Sequence, residues 1–215
     1  MSRAPSFAGV ILAAGESSRM GTDKALLPWP PNAGGEMLVR GVGRETFLSA
    51  AIRALILSTD FVAVVAGKNE AKLAPVAYAN GASVVVNHHS ERGQFSSLQV
   101  GLQEVLNRGR DAAMITLVDR PPVSRTTIQL LRDAFEAAPE NIWAIVPEFS
   151  GRHGHPYLAG RELIEAFLRA PANASAREIE REHQKHIQYE AVADPFVALN
   201  INTPDDYAAL RAMGR

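Results

Sequence analysis

The chain has 215 residues, 22 Lys plus Arg against 23 Asp plus Glu, 47% apolar residues and no cysteine. That length suits one domain whose core needs no staples, and the missing cysteines exclude disulfides and thiolate zinc centres. A net charge of −1 excludes a broad nucleic-acid or acidic-membrane surface. No apolar run approaches the ~20 residues of a membrane span, and the start Met1–Pro5 lacks a signal-peptide apolar region. A soluble, cytoplasmic protein is expected, with no nucleic-acid or membrane partner.

In chain order, the apolar run Ala8–Ala13 stops at a glycine and reads as a buried strand. Residues 28–44 are rich in Pro and Gly and read as a flexible insertion in a single domain spanning 1–215. Thr46–Leu57 carries apolar residues at helical spacing. Phe61–Ala66 predicts a second strand, Asn69–Ala79 a helix, Ser83–Val86 a third strand and Ser96–Asn107 a helix. Ala112–Val118 predicts a fourth strand, Arg125–Ala138 a helix and Ile142–Val146 a fifth strand. Beyond it, His155–Leu158 and Ile187–Ala191 read as strands, with helices near Arg161–Arg169 and Ala176–Gln184 between them. A last helix starts at Thr203 as N-cap, with Pro204 at its first position. This alternation predicts a doubly wound, mostly parallel α/β sheet, whose ligands bind beyond the carboxyl ends of the strands.

The first such loop is Leu12-Ala13-Ala14-Gly15, followed by Arg19 and Lys24. Small residues let the backbone approach a ligand, successive amides form an anion nest, and two cations suit a polyphosphate. The spacing fits neither a P-loop nor a dinucleotide fingerprint, and a plain glycine turn with two solvated cations is the competing reading. After the fourth strand, Asp119 is placed to hold a hard cation or to cap its turn. Asn200 and Asn202 stand two apart on an extended segment, where amide oxygens could ligate the same cation. Ser96 and Ser97 could present hydroxyls and amides at a helix start, or serve only as its cap. The pairs His88-His89 and His183 with His186 read as structural or solvated.

The string LAAGESSRMGTDK resembles the signature of MobA- and MocA-like molybdenum-cofactor nucleotidyltransferases, and the likeness extends from Val10 to about Tyr207. The resemblance implies a Rossmann-like nucleotidyltransferase fold of three αβα layers. It also implies transfer of NMP from an NTP to an acceptor phosphate, with Mg²⁺ and release of pyrophosphate. Leu12, Ala13, Ala14 and Gly15 would then hold the base and ribose side, with Ser96 and Ser97 near the base. Arg19 and Lys24 would bind phosphates. Asp119, in an Asp-x-Pro segment, would bind the metal with Asn202 and, secondarily, Asn200. Arg120 stands where many relatives have Gln or Met. His155 lies in a segment similar to the Arg-Gly-His-Pro of MocA-like enzymes and would contact the acceptor. Ala14, Phe95–Leu98 and His155-Pro156 favour MocA and CTP, whereas Asn-Ile-Asn-Thr-Pro at 200–204 favours MobA and GTP. CTP is the expected nucleotide, molybdopterin the expected acceptor, and a molybdoenzyme a possible client. The rival readings are activation of a sugar phosphate or another small phosphate, and a non-catalytic carrier of nucleotide or cofactor.

Overall fold

The computed structural model describes residues 5–15, 20–31, 45–171 and 173–212. Arg19 and residues 32–44 of the expected insertion lie outside the described residues. The strands are β1 (Phe7–Leu12), β2 (Phe61–Ala66), β3 (Ser83–Val86), β4 (Ala112–Leu117), β5 (Ala144–Phe149), β6 (Arg152–His153), β7 (Tyr157–Gly160) and β8 (Ile187–Ala191). The helices are α1 (Phe47–Ile56), α2 (Glu70–Ala79), α3 (Gln94–Asn107), α4 (Arg125–Ala137), α5 (Arg161–Arg169), α6 (Ala176–Glu182) and α7 (Pro204–Ala212).

These strands form one sheet in the order β3-β2-β1-β4-β7-β5, with β6 beside the far end of β5 and β8 on its other edge. Strands β1, β2, β3 and β4 are mutually parallel, and β8 runs parallel to β5; β7 is antiparallel to both β4 and β5. The expected α/β class and three layers are therefore present. Along β1 the side chains alternate between two cores, as the two-residue period of a strand requires. Phe7 and Ile11 join Phe47, Leu48, Ile52, Leu73 and Leu131 on the face covered by α1, α2 and α4. Val10 and Leu12 join Phe95, Leu98, Leu102, Ile164 and Phe167 on the face covered by α3 and α5.

The structure departs from the sequence expectation at several elements: β5 runs Ala144–Phe149 rather than Ile142–Val146, and β7 begins at Tyr157 rather than His155. The chain leaves β5 through Ser150 (φ 50°) and Gly151 (φ 73°), a two-residue turn that returns it as β6, with Phe149 facing Arg152. Both turn residues have positive φ, the backbone that matches strand twist in tight hairpins. Helix α3 begins at Gln94 rather than Ser96, because Gly93 (φ 95°) breaks the chain there. Residues 28–31 are anchored: Trp29 packs edge-on against Phe47 and Phe196, and the Tyr207 hydroxyl donates to Pro28 O at 2.9 Å.

Two glycines fix how closely elements approach. A Cβ at Gly101 of α3 would lie 2.7 Å from Val10 Cγ1 and 2.9 Å from Val65 Cγ2, both on the sheet. One at Gly154 would lie 2.1 Å from the main-chain oxygen of Val197. Alanine improves intrinsic helix propensity by about 1 kcal/mol, whereas overpacking costs about 1–3 kcal/mol. Gly101→Ala is therefore expected to destabilise the protein, and Gly154→Ala to destabilise it more, since a main-chain oxygen yields less than a valine methyl. Urea unfolding of both variants checks the ranking; equal midpoints would contradict it.

Candidate functional site

The carboxyl ends of β1 and β4 lie side by side at the centre of the sheet, with Leu12 opposite Leu117. Above them opens a cleft of about 290 Å³ lined by Leu12, Ala14, Gly15, Lys24, Ser97 and Asp119, with Ser90, Gly93, Gln94 and Asn202 among its other walls. Ala13 is buried and contributes its side chain to the α1 face of the core instead.

The loop after β1 is held in shape by a side chain that the sequence pattern did not single out. Asn69 Nδ2 donates to Ala13 O and to Asp23 Oδ2, both at 2.9 Å, while its Oδ1 accepts from Gly67 N at 3.0 Å. Gly67 permits the approach, because a Cβ there would lie 2.8 Å from Ser90 Oγ and 3.0 Å from Ala14 O. Gly15 differs. Its φ is not in the left-handed range, and among the described residues nothing would meet an added Cβ within 4 Å. Among the described residues, neither backbone conformation nor packing demands glycine at 15.

Asp23 also positions Lys24. Its Oδ1 accepts from Ala25 N at 3.1 Å and caps the short 3-10 turn Lys24–Leu26. Lys24 is only 8% exposed, so its ammonium needs partners. Nζ donates to Asn202 Oδ1 at 3.0 Å and lies 3.4 Å from Asp119 Oδ2. The main chain joins the same segments, with Ile201 N donating to Asp119 O at 2.9 Å. Asp206 accepts from Asn202 N and Thr203 N at 2.8 Å each, and these donors hold its carboxyl below the usual range. Asn202 is thereby fixed at both its amide and its main chain.

The other Asp119 oxygen, Oδ1, is buried and has no hydrogen-bond partner among the described residues. An unpartnered carboxylate oxygen on a residue that lines the cleft is a suitable donor for a hard divalent cation. The Asn202 oxygen accepts from Lys24, leaving its second lone pair for such an ion. Asn200 is exposed and does not line the cleft.

On the opposite wall, the two serines diverge. Ser97 is buried and lines the cleft, whereas the Ser96 hydroxyl turns back to Gly93 O at 2.8 Å and is not a lining residue. Neither is the helix cap, that position being Gly93. Asn87 braces both, its Nδ2 lying 2.9 Å from each hydroxyl oxygen. Asn87 and Ser90 also escaped the sequence reading. The only local signal for either was a polar residue just beyond the end of β3.

His155 sits on the bend between β6 and β7, outside the cleft lining, with its N–H donating to Val197 O at 2.9 Å. Burial, reinforced by the Arg120 charge, pushes its pKa down to about 3, so the ring is neutral at pH 7. His153 is exposed and stacks on Tyr189 at 3.8 Å, so the two histidines do not share a site. His186 stacks on Trp143 with centroids 3.8 Å apart, which makes it a packing residue.

The His155 shift has a stability consequence. An unfolded histidine protonates near pH 6.5 and the folded one near 3, so the unfolded state binds more protons in between. Stability is therefore expected to fall as pH drops from about 6.5 towards 3. His155→Gln should flatten that slope in thermal melts followed between pH 7 and pH 4; an unchanged slope would contradict the burial argument.

Comparison with known proteins places the chain in a family. Residues 9–187 match the family model described as "MobA-like NTP transferase domain". The chain is 29% identical over 209 residues to the "Probable molybdenum cofactor guanylyltransferase" of Rhodopirellula baltica, covering 94% of this chain and 90% of that one. It is 26% identical over 200 residues to the "Molybdenum cofactor cytidylyltransferase" of Escherichia coli K12, covering 92% of each. The crystal structure of Rv0371c from Mycobacterium tuberculosis H37Rv superposes with a TM-score of 0.76 at 26% identity, over 95% of this chain and 97% of that one.

Proposed function

The chain belongs to the MobA-like NTP transferase family, and on that premise we propose that it is a Mg²⁺-dependent transferase of NMP from an NTP to the phosphate of molybdopterin. The observation that carries this reading is the convergence of Lys24, Asp119 and Asn202 at the end of the glycine-loop cleft, with Asp119 Oδ1 left unpartnered.

An ionised phosphate oxygen of the acceptor attacks the α-phosphorus in line and pyrophosphate leaves. The nucleophile is charged at neutral pH, so no general base is required. The protein's work is alignment and neutralisation. The loop Leu12–Gly15 receives the nucleoside, with Ala14 and Gly15 presenting main chain to it. Lys24 offsets negative charge on the phosphates, and Arg19 serves the same role in this reading. Asp119 would hold the metal through Oδ1, with the Asn202 amide oxygen as a weaker second donor. Bound there, Mg²⁺ supplies Lewis-acid stabilisation of phosphate charge.

The curated relatives divide between guanylyl and cytidylyl transfer, two being named for the former and one for the latter. CTP is favoured here, since Ser97 in the cleft belongs to the base-proximal Phe95–Leu98 stretch that resembles MocA-like enzymes. A molybdoenzyme that receives the product is a further expected partner.

Pyrophosphate release should appear with CTP and molybdopterin, require Mg²⁺ and vanish with a chelator. Asp119→Ala and Lys24→Ala should each lower its rate by about 10²–10³ while the thermal melt stays cooperative. Near-normal turnover by either variant would remove that residue from the machinery. No release from CTP, GTP, ATP or UTP would favour a carrier.

A further inference from the structure

The loop that follows β3 fixes the direction of one hydroxyl proton in the cleft. Asn87 stands immediately beyond β3, is 4% exposed, and donates its main-chain N–H to Ala66 O at 2.8 Å. Its side chain is held as firmly. Oδ1 accepts the main-chain N–H of His89 at 2.9 Å. A main-chain N–H can only donate, so the side-chain atom facing it is the oxygen, and the amide has a single orientation.

Both hydrogens of Nδ2 are therefore turned towards α3. Nδ2 lies 2.9 Å from Ser96 Oγ and 2.9 Å from Ser97 Oγ. An amide nitrogen offers no lone pair, so each serine oxygen is the acceptor and must place its own proton elsewhere. Ser96 does so inside the protein, donating to Gly93 O at 2.8 Å. Ser97 is buried and lines the cleft, and among the described residues its proton meets no acceptor.

A free serine hydroxyl is indifferent, donating or accepting as its surroundings require. Ser97 has lost that freedom: Asn87 holds one lone pair, and the proton remains to be satisfied from the cleft. A ligand group that accepts there completes the network. One that donates leaves a buried hydroxyl proton unpaired. Among nucleobases this polarity carries identity. Cytosine N3 accepts where uracil N3 bears a hydrogen. The exocyclic positions also alternate, amino in cytosine and adenine against carbonyl in uracil and guanine.

We propose that Asn87 is a positioning residue for nucleotide selection: it fixes the Ser97 hydroxyl as a donor, so the cleft takes the base whose edge presents an acceptor there. This rests on the nucleotidyl-transfer reading, in which the base lies near Ser97, and adds the residue that decides what Ser97 can read. Asn87 itself does not line the cleft and acts only through that hydroxyl. Replacement by Asp keeps the shape and inverts the polarity. One carboxylate oxygen still accepts from His89 N, while the other accepts the Ser97 proton and leaves that hydroxyl with only lone pairs for the ligand. Three donors, His89 N–H and the two serine hydroxyls, hold the new carboxylate in its ionised form.

The test is equilibrium binding of CTP, UTP, GTP and ATP to the full chain, with Mg²⁺ and no acceptor, so it requires no turnover. Within the pyrimidine or purine pair that the wild type binds, Asn87→Asp should move the affinity ratio by about tenfold or more away from the wild-type preference. A residue that only supports the fold would weaken both members of the pair alike. Ser97→Ala should bring the ratio near unity, and in that background Asn87→Asp should no longer change it. If Asn87→Asp does not fold, Asn87→Ala and Ser97→Ala decide, since each should flatten the ratio. An unchanged ratio in the Asn87 variants, a change that survives Ser97→Ala, or no NTP binding by wild type would overturn the proposal. Absence of pyrophosphate release from every NTP would sink the transfer reading by a separate route, leaving the binding ratios to decide Asn87.

Discussion

The contact of the Lys24 ammonium with Asn202 Oδ1 and Asp119 Oδ2 joins segments 178 and 95 residues apart, and the site is organised around it. A lysine that is 8% exposed survives only where polar partners replace its lost water. Of its partners among the described residues, Asp119 is a carboxylate and Asn202 a neutral amide.

Everything that places Lys24 is main-chain geometry reinforced by short polar side chains. Asp23 caps its 3-10 turn, Asn69 ties Asp23 to the loop after β1, and Gly67 lets that loop approach. On the other side Asp206 locks Asn202 to the start of α7, and Ile201 N is bonded to Asp119 O. These hydrogen bonds are individually modest, about 1 kcal/mol each, but they define the spacing between cation and carboxylate. Bracing of this kind sets the spacing before a ligand arrives, which is what electrostatic preorganisation requires.

The layers were legible in the sequence because each buried strand is a short run such as FVAVVA, closed by a glycine or polar loop. Asp119 and Lys24 were legible through strand ends and motif. The braces were not. Asn69 and Asn87 act on partners that a linear pattern does not bring near, and an isolated Asn carries no periodicity. The β5–β6 hairpin did leave a trace, the Ser150-Gly151 pair, but its strand β6 is two residues long and has no alternation to read. The divergence of Ser96 and Ser97 depended on where α3 begins, and Gly93 moved that start to Gln94. Adjacent residues on a helix point about 100° apart, so such a shift decides which of them faces a ligand.

The antiparallel placement of β7 decides which charges reach the carboxyl edge of the sheet. In this chain Lys24 approaches Asp119 from the β1 side, while Arg120 and Arg152, hydrogen-bonded to Leu199 and Ala198, lie towards β7 and β5. Had β7 run parallel to β4, its start would lie at the amino edge of the sheet, and His155 would be about a strand's length from Asp119. Reversing one strand brings the bend between β6 and β7 to the carboxyl edge. A chain with a net charge of −1 can in this way set positive charge on both sides of a single carboxylate.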